Sequence, residues 1–347
     1  MGPASRTALA AGPITSQKDV PYETVNGQTL AMDVYLPHGA GPHPGVLLAH
    51  PGQFRAGGRA HLAPLARFLA VHGYVAFTID YRLAPQFPYP AAVQDAIQAL
   101  AYMRAHADEF NLDPTRIGAA GTSAGGTIAG SLGTSCGRGT TGGQVAAVAS
   151  LSGPMDLLNL VQQAPTTRGP VFSYAVGHRT PGINVDALLT AASPAAHVSP
   201  DSAPFLMALN PAEPFPAAQY TEMAGLLRAA HVPVEFFRPP PGSYFHAVNV
   251  RTLRFLNHYV ADYTGTPSAP ARACVVSAGT TPATTPPPTP SPTPSATSSP
   301  APTPPASSPP AHRGSGGSKV FLFVGIGVAV VVVLGLWARA YFRRPTF

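Results

Sequence analysis

Between Pro21 and Tyr263, short apolar runs alternate with stretches whose apolar residues recur at helical spacing. Ala31–Leu36, Gly45–His50, Tyr74–Asp80, Arg116–Ala120, Val145–Leu151, Pro204–Leu209 and Val234–Phe237 have the length and apolar content of buried strands. His61–His72, Ala91–Ala107, Ala124–Leu132, Ala217–His231 and Ala247–Asp262 lie between or after them and predict helices. Strands separated by helices imply βαβ units, so the expected class is α/β, with a mostly parallel central sheet and helices on both faces. Val25-Asn26-Gly27-Gln28 predicts a tight hairpin joining two antiparallel edge strands. From Pro154 to Pro200 the pattern is irregular and proline-rich, which predicts a short lid-like insertion overhanging a site.

After Tyr263 the pattern changes. Thr280 to Ala311 contains only Pro, Ser, Thr and Ala, which cannot build a packed core. Its proline content favours an extended stalk. Val320 to Ala338 then forms an uncharged stretch between Lys319 and Arg339. Its nineteen residues, at ~1.5 Å rise each, nearly span a bilayer core of ~30 Å. The expected organisation is a flexible N-terminus (1–19), an α/β domain (20–265), a disordered stalk (266–318), one transmembrane helix (319–339) and a basic tail (340–347).

Charge sharpens this picture. The formal net charge is +6, and residues 266–347 hold six basic residues and no acidic one. Residues 1–265 therefore balance at fifteen of each sign, so the basic excess reports a membrane flank and excludes a nucleic-acid surface. Arg339, Arg343 and Arg344 beyond the span favour a cytoplasmic C-terminus and an extracytoplasmic domain. The first thirty residues show no apolar secretory segment, so either the true start lies upstream or the protein is tail-anchored with its domain inside; the Ser/Thr/Pro stalk favours export. Cys136 and Cys274 either pair, strapping the start of the tail to the body, or remain idle thiols, the more ordinary reading. No His/Cys cluster has metal-ligand spacing, and neither metal nor cofactor is expected.

The chemistry concentrates in Gly121-Thr122-Ser123-Ala124-Gly125, a G-x-S-x-G placed between a strand and a helix. In that context the small residues permit a sharp turn that exposes Ser123 as a nucleophile. Two further segments, "DYRLAPQFPYPAAVQDA" (80–96) and "LLAHPGQFRAGG" (47–58), complete a likeness. The chain resembles α/β-hydrolase serine esterases of the hormone-sensitive-lipase and bacterial acetyl or feruloyl esterase type, over roughly residues 20 to 260. The resemblance implies an α/β-hydrolase fold and a two-step acyl-enzyme mechanism with Ser123 as nucleophile. It implies His246, in "PGSYFHAVNV", as base, and structural roles for Arg82 and Asp95.

Two places depart from that pattern. Pro51 and Gln53 replace glycines of the oxyanion loop, and proline has no N–H to donate. The expected donors are therefore Gly52 or Gln53 together with Ala124. His50 is expected to bond structurally. In "FLMALNPAEPFP" the expected His-Gly-Asp wording is missing, and Glu213 is the one carboxylate in the loop. The acid is then Glu213, or Asp156 in "LSGPMDLLNL", or absent. Asp156 has an ordinary competing role as a helix N-cap.

The expected function is a membrane-tethered serine carboxylesterase acting on small acyl, aryl or sugar esters, with the bilayer as its other partner. The alternatives are a non-catalytic α/β-hydrolase-like binding module on a stalk and, among hydrolases, a prolyl-peptidase-like enzyme.

Overall fold

Asn26 and Gly27 both take positive φ, 51° and 74°, as a two-residue type I′ turn requires. They join β1 (Thr15–Val25) to β2 (Gln28–Leu36), with Val25 opposite Gln28. The structure is a computed structural model that describes residues 13–262, apart from 140, 141, 179–181, 212, 214 and 241–243, together with Cys274. The chain divides into two units, Met1–Pro286 and Pro287–Phe347. The second unit and most of the expected stalk lie outside the described residues, as do the expected membrane helix, the basic tail and residues 1–12. Among the described residues no helix is long and apolar enough to cross a membrane.

The remaining strands are β3 (His43–Ala49), β4 (Val75–Ile79), β5 (Leu112–Thr122), β6 (Val148–Leu151), β7 (Phe205–Ala208) and β8 (Val234–Phe237). They form one sheet in the order β1-β2-β4-β3-β5-β6-β7-β8, antiparallel at β1–β2 and β2–β4 and parallel from β4 through β3 to β8. Helices follow most parallel strands: α1 (Ala63–Val71), α2 (Ala91–Ala105), α3 (Ala124–Ser131), α7 (Ala218–Ala229) and α8 (Tyr244–Leu256). The stretch from Pro154 to Pro200 contains α4 (Leu157–Gln163), α5 (Arg168–Ala175) and α6 (Val185–Ala191), so it is more regular than the sequence pattern predicts. Helices of seven or eight residues are too short to display an amphipathic period clearly.

Period-two alternation in the strands divides the core in two. Leu47, Phe77, Ala119, Phe205 and Met207 pack with Leu100 and Met103 of α2, Ile128 of α3 and Leu227 of α7. Val46, Leu48, Ala76, Ala120 and Leu206 pack instead with Leu65 and Leu69 of α1 and Val248 and Phe255 of α8. Strands covered on both faces read as continuous apolar runs, which is why most were legible.

Two polar devices anchor the loops beside the sheet. Arg82 and Asp95 are buried as a pair: the guanidinium donates from Nη2 at 2.6 Å and from Nε at 2.8 Å, and the Arg82 backbone N–H at 2.7 Å. Arg59 ties Asp33, Asp80 and Asp19 together, its Nε donating to Asp33 at 2.9 Å, while Lys18 donates to Asp33 at 2.8 Å. Cys136, at the end of a π-helical turn that prolongs α3 (Leu132–Cys136), forms a disulfide with Cys274. Pairing thus replaces the reading of idle thiols, which local sequence cannot decide because the partners lie 138 residues apart.

Removing one member of a buried ion pair leaves the other charge uncompensated. Asp95→Ala is therefore expected to cost about 3–5 kcal/mol, read as a lower urea midpoint at unchanged slope. A loss below about 1 kcal/mol would contradict the structural role given to this pair.

Candidate active site

β5 ends at Thr122 and α3 begins at Ala124, so Ser123 makes the turn alone. Its φ of 52° and ψ of −120° are unfavourable for a residue with a side chain. The surrounding backbone holds it there: Ser123 N–H donates to Leu151 O at 2.8 Å, and its carbonyl accepts from Gly126 at 2.8 Å. The turn also needs its glycines. A Cβ on Gly125 would stand 2.0 Å from Ala49 O, so α3 starts in backbone contact with the end of β3.

The loop after β3 forms the facing wall. Gly52, Gln53 and Phe54 have φ of 141°, 56° and 64°, and the carbonyl of Gly52 accepts from Arg55 and Ala56, each at 3.0 Å. A Cβ on Gly52 would lie 1.8 Å from Ala56 O, so this position admits only glycine. Pro51 does not disturb the loop, because its carbonyl is used: His50 Nδ1 donates to it at 2.7 Å. Burial pushes the His50 pKa down to about 4, leaving a neutral ring stacked on Tyr81 at 4.1 Å. Tyr81 donates to His50 O at 2.8 Å, and Phe54 O accepts from Ala84 at 2.9 Å. Among the described residues, the N–H groups of Gly52, Gln53 and Ala124 donate to no protein acceptor.

The insertion closes onto this wall. Tyr174 of α5 stacks on Phe54 with centroids 3.8 Å apart, and its carbonyl accepts from Tyr89 N–H at 2.6 Å. The sequence pattern does not signal this aromatic pair, since Tyr174 belongs to one of the short helices it leaves undefined.

The acid and base candidates come from later strands. Glu213 lies between β7 and α7, with its N–H donating to Asn210 O at 3.0 Å. Burial raises its pKa, and its half-buried carboxylate takes no hydrogen bond among the described residues. Its charge acts on the phenols of Tyr220 and Tyr244, both pushed up first by burial and then by neighbouring charge that includes Glu213; Tyr244 reaches about 12. Asp156 caps α4, accepting from Asn159 N–H at 2.9 Å, while its own N–H donates to Gln219 at 2.9 Å. His246 is exposed in the first turn of α8 and follows residues 241–243, which lie outside the described residues. Ser123, Glu213 and His246 thus follow β5, β7 and β8 at the carboxyl end of the sheet, where α/β folds bind ligands. No hydrogen bond joins the three among the described residues. No group of three or more His, Cys, Asp or Glu among the described residues could hold a metal ion.

With this geometry in place, comparison with known proteins is informative. Residues 32–219, more than half of the chain, match the BD-FAE family model. The chain belongs to the BD-FAE family. Carboxylesterase NlhH of Mycobacterium tuberculosis is 43% identical over 86 residues, covering 24% of this chain and 27% of that enzyme. Esterase LipI of the same organism is 33% identical over 129 residues, covering 32% of this chain and 40% of LipI. These alignments span between a quarter and two fifths of the curated relatives' length. A truncated carbohydrate esterase from gut microbiota superimposes with a TM-score of 0.63 at 21% identity, covering 74% of this chain and 99% of that one. The thermophilic esterase Est2 of Thermogutta terrifontis gives 0.57 at 18% identity, covering 73% and 96%. The BD-FAE chain therefore has the α/β-hydrolase fold of serine esterases.

The environment of Glu213 has a thermodynamic sign. Its pKa is raised on folding, so the folded chain holds this proton more tightly than the unfolded chain, and stability falls as pH rises above the ordinary carboxylate range. Glu213→Gln is expected to raise Tm near pH 8, by roughly 2–4 °C for each kcal/mol relieved in a domain of this size, with the gain vanishing near pH 4. Calorimetry at both pH values checks it, and a lower Tm near pH 8 would contradict the assignment.

Proposed function

We propose that this chain is a serine carboxylesterase that hydrolyses small acyl, aryl or sugar esters through an acyl-enzyme intermediate. The observation that carries the reading is the backbone of Ser123, held at positive φ where the strand turns into α3. That conformation is costly and serves to present a nucleophile. Ser123 Oγ attacks the ester carbonyl while His246 takes its proton, and the alcohol leaves with that proton. Water then attacks the acyl-enzyme, again deprotonated by His246, to release the acid. N–H groups of Gly52 or Gln53 and of Ala124 stabilise the oxyanion, and their lack of acceptors among the described residues supports this role.

Glu213 orients His246. Its carboxylate takes no competing hydrogen bond among the described residues, which favours it over Asp156, whose carboxylate is engaged as a helix cap. The names of relatives, among them acetyl esterases of Salmonella 38% identical over 81 residues, support short acyl groups.

A membrane helix over 319–339, with the enzyme domain outside the cytoplasm, completes the proposal. The uncharged run, the arginines after it and the disulfide support this placement, since disulfides persist in oxidising compartments.

The full chain, treated with a fluorophosphonate and assayed on p-nitrophenyl acetate and butyrate, tests the chemistry. Ser123→Ala is expected to abolish labelling and lower kcat on the order of 10⁴-fold or more. An unlabelled wild-type chain no faster than this variant would favour a binding module instead. Glu213→Gln is expected to lower kcat by on the order of 10³–10⁴-fold and Asp156→Asn to leave it near wild type; the reverse ordering would reassign the acid. For location, protease added to intact cells is expected to release the active domain, and complete protection would place it inside.

A further inference from the structure

Ser152 is fully buried immediately after β6 and has a φ of 57°, a further strained non-glycine residue at the carboxyl end of the sheet beside Gln53, Phe54 and Ser123. Nothing in the chemistry above requires it. Its backbone N–H donates to Ala208 O at 2.6 Å, continuing the β6–β7 ladder. Its hydroxyl accepts from Asn210 N–H at 2.9 Å and meets the Tyr244 hydroxyl at 3.0 Å. The Ser152 hydroxyl has a further, long contact to Ala208 O at 3.5 Å. The Tyr244 O–H therefore fits best as donor to Ser152, leaving the serine proton directed at Ala208.

This one hydroxyl touches both segments from which acid and base come. Asn210 opens the loop of Glu213, and its carbonyl accepts from the Glu213 N–H at 3.0 Å. Tyr244 stands two residues before His246 in the first turn of α8. Both contacts span long sequence distances, 58 residues for Asn210 and 92 for Tyr244. A buried serine held at positive φ persists only where surrounding contacts over-determine it. Here the contacts join the acid loop to the first turn of α8.

We propose that Ser152 and Tyr244 are positioning residues whose hydroxyl pair sets the first turn of α8 against the acid loop, and so sets His246 against Glu213. The assignment rests on the Ser123–His246–Glu213 reading. Tyr244 serves through its O–H and not through its ring, which makes the role separable from packing. Ser152 serves through its acceptor oxygen, which no apolar residue replaces.

The test is kinetic and uses the full chain. Tyr244→Phe keeps the ring and deletes the hydroxyl; it is expected to lower kcat on p-nitrophenyl acetate about tenfold with KM within about twofold. Ser152→Gly accepts the same φ and deletes the acceptor, with the same expected effect, and it carries the test if Tyr244→Phe fails to fold. Both variants remove the Ser152–Tyr244 hydrogen bond, and Ser152→Gly also removes the acceptor of the Asn210 N–H, so the double variant is expected to be no slower than Ser152→Gly alone. The proposal is overturned if both singles keep wild-type kcat, if their losses multiply in the double, or if KM rises as kcat falls. Fluorophosphonate labelling of the wild-type chain separates the two levels. Without labelling at Ser123 the triad reading fails and takes this proposal with it, whereas labelling with wild-type kinetics in both singles overturns the positioning role alone.

Discussion

The architecture turns on a backbone-to-backbone contact between the start of α3 and the end of β3. Gly125 lies so near Ala49 O that a single Cβ would occupy the same space. Closeness there lets the strand-to-helix reversal happen at one residue, and that residue is Ser123. A wider approach would need a longer connection, and the serine would then lie on an ordinary loop free to relax. The unfavourable backbone of Ser123 is thus a consequence of packing, maintained by the burial of α3 between β3, β6 and the residues that follow them.

The same logic governs the facing loop. Positive φ at Gln53 and Phe54 is costly, and it is offset by bonds to Tyr81, Ala84 and Pro51 and by stacking against Tyr174. Arg59 reaches across to Asp33 and Asp80, tying the rear of this loop to the edge hairpin. Rigidity at the site therefore draws on segments far from it in sequence, including an insertion that first looks like an independent cover. Glu213 adds a different strain: a carboxylate held out of water by burial, whose charge also disfavours ionisation of the phenols of Tyr220 and Tyr244, is electrostatically uncomfortable. Stability surrendered at such positions is common where chemistry is performed.

Legibility followed physical range. Strands buried on both faces announce themselves as apolar runs, and the G-x-S-x-G is readable because a turn of that sharpness admits few residue types. β5 proved longer than its apolar part, since Leu112 pairs with His43 and the register then shifts before Gly45 meets Ile117, so the strand takes in the polar Asp113-Pro114-Thr115. β1 showed only its hairpin end, because its residues are largely exposed on an edge. α4, α5 and α6 escaped notice because each is about two turns long and rests on tertiary contacts. Ser152 and Tyr244 carried no signal at all: a serine after a strand and a tyrosine before a histidine are ordinary until the fold brings them within 3.0 Å. The disulfide belongs to the same category, as a decision made by three-dimensional proximity alone.

That disulfide also decides how force enters the molecule. Ser123 and Cys136 occupy opposite ends of one helical segment, α3 and its π-helical extension. Tension applied to the chain beyond Cys274 passes through the sulfur bridge into Cys136, a buried position braced by the sheet. It bypasses α8, the helix that carries Tyr244 and His246. With the bridge intact, a pull on the C-terminal tail loads the end of the helix remote from Ser123. With it reduced, the same pull would pass to α8, entering at the end of that helix remote from His246.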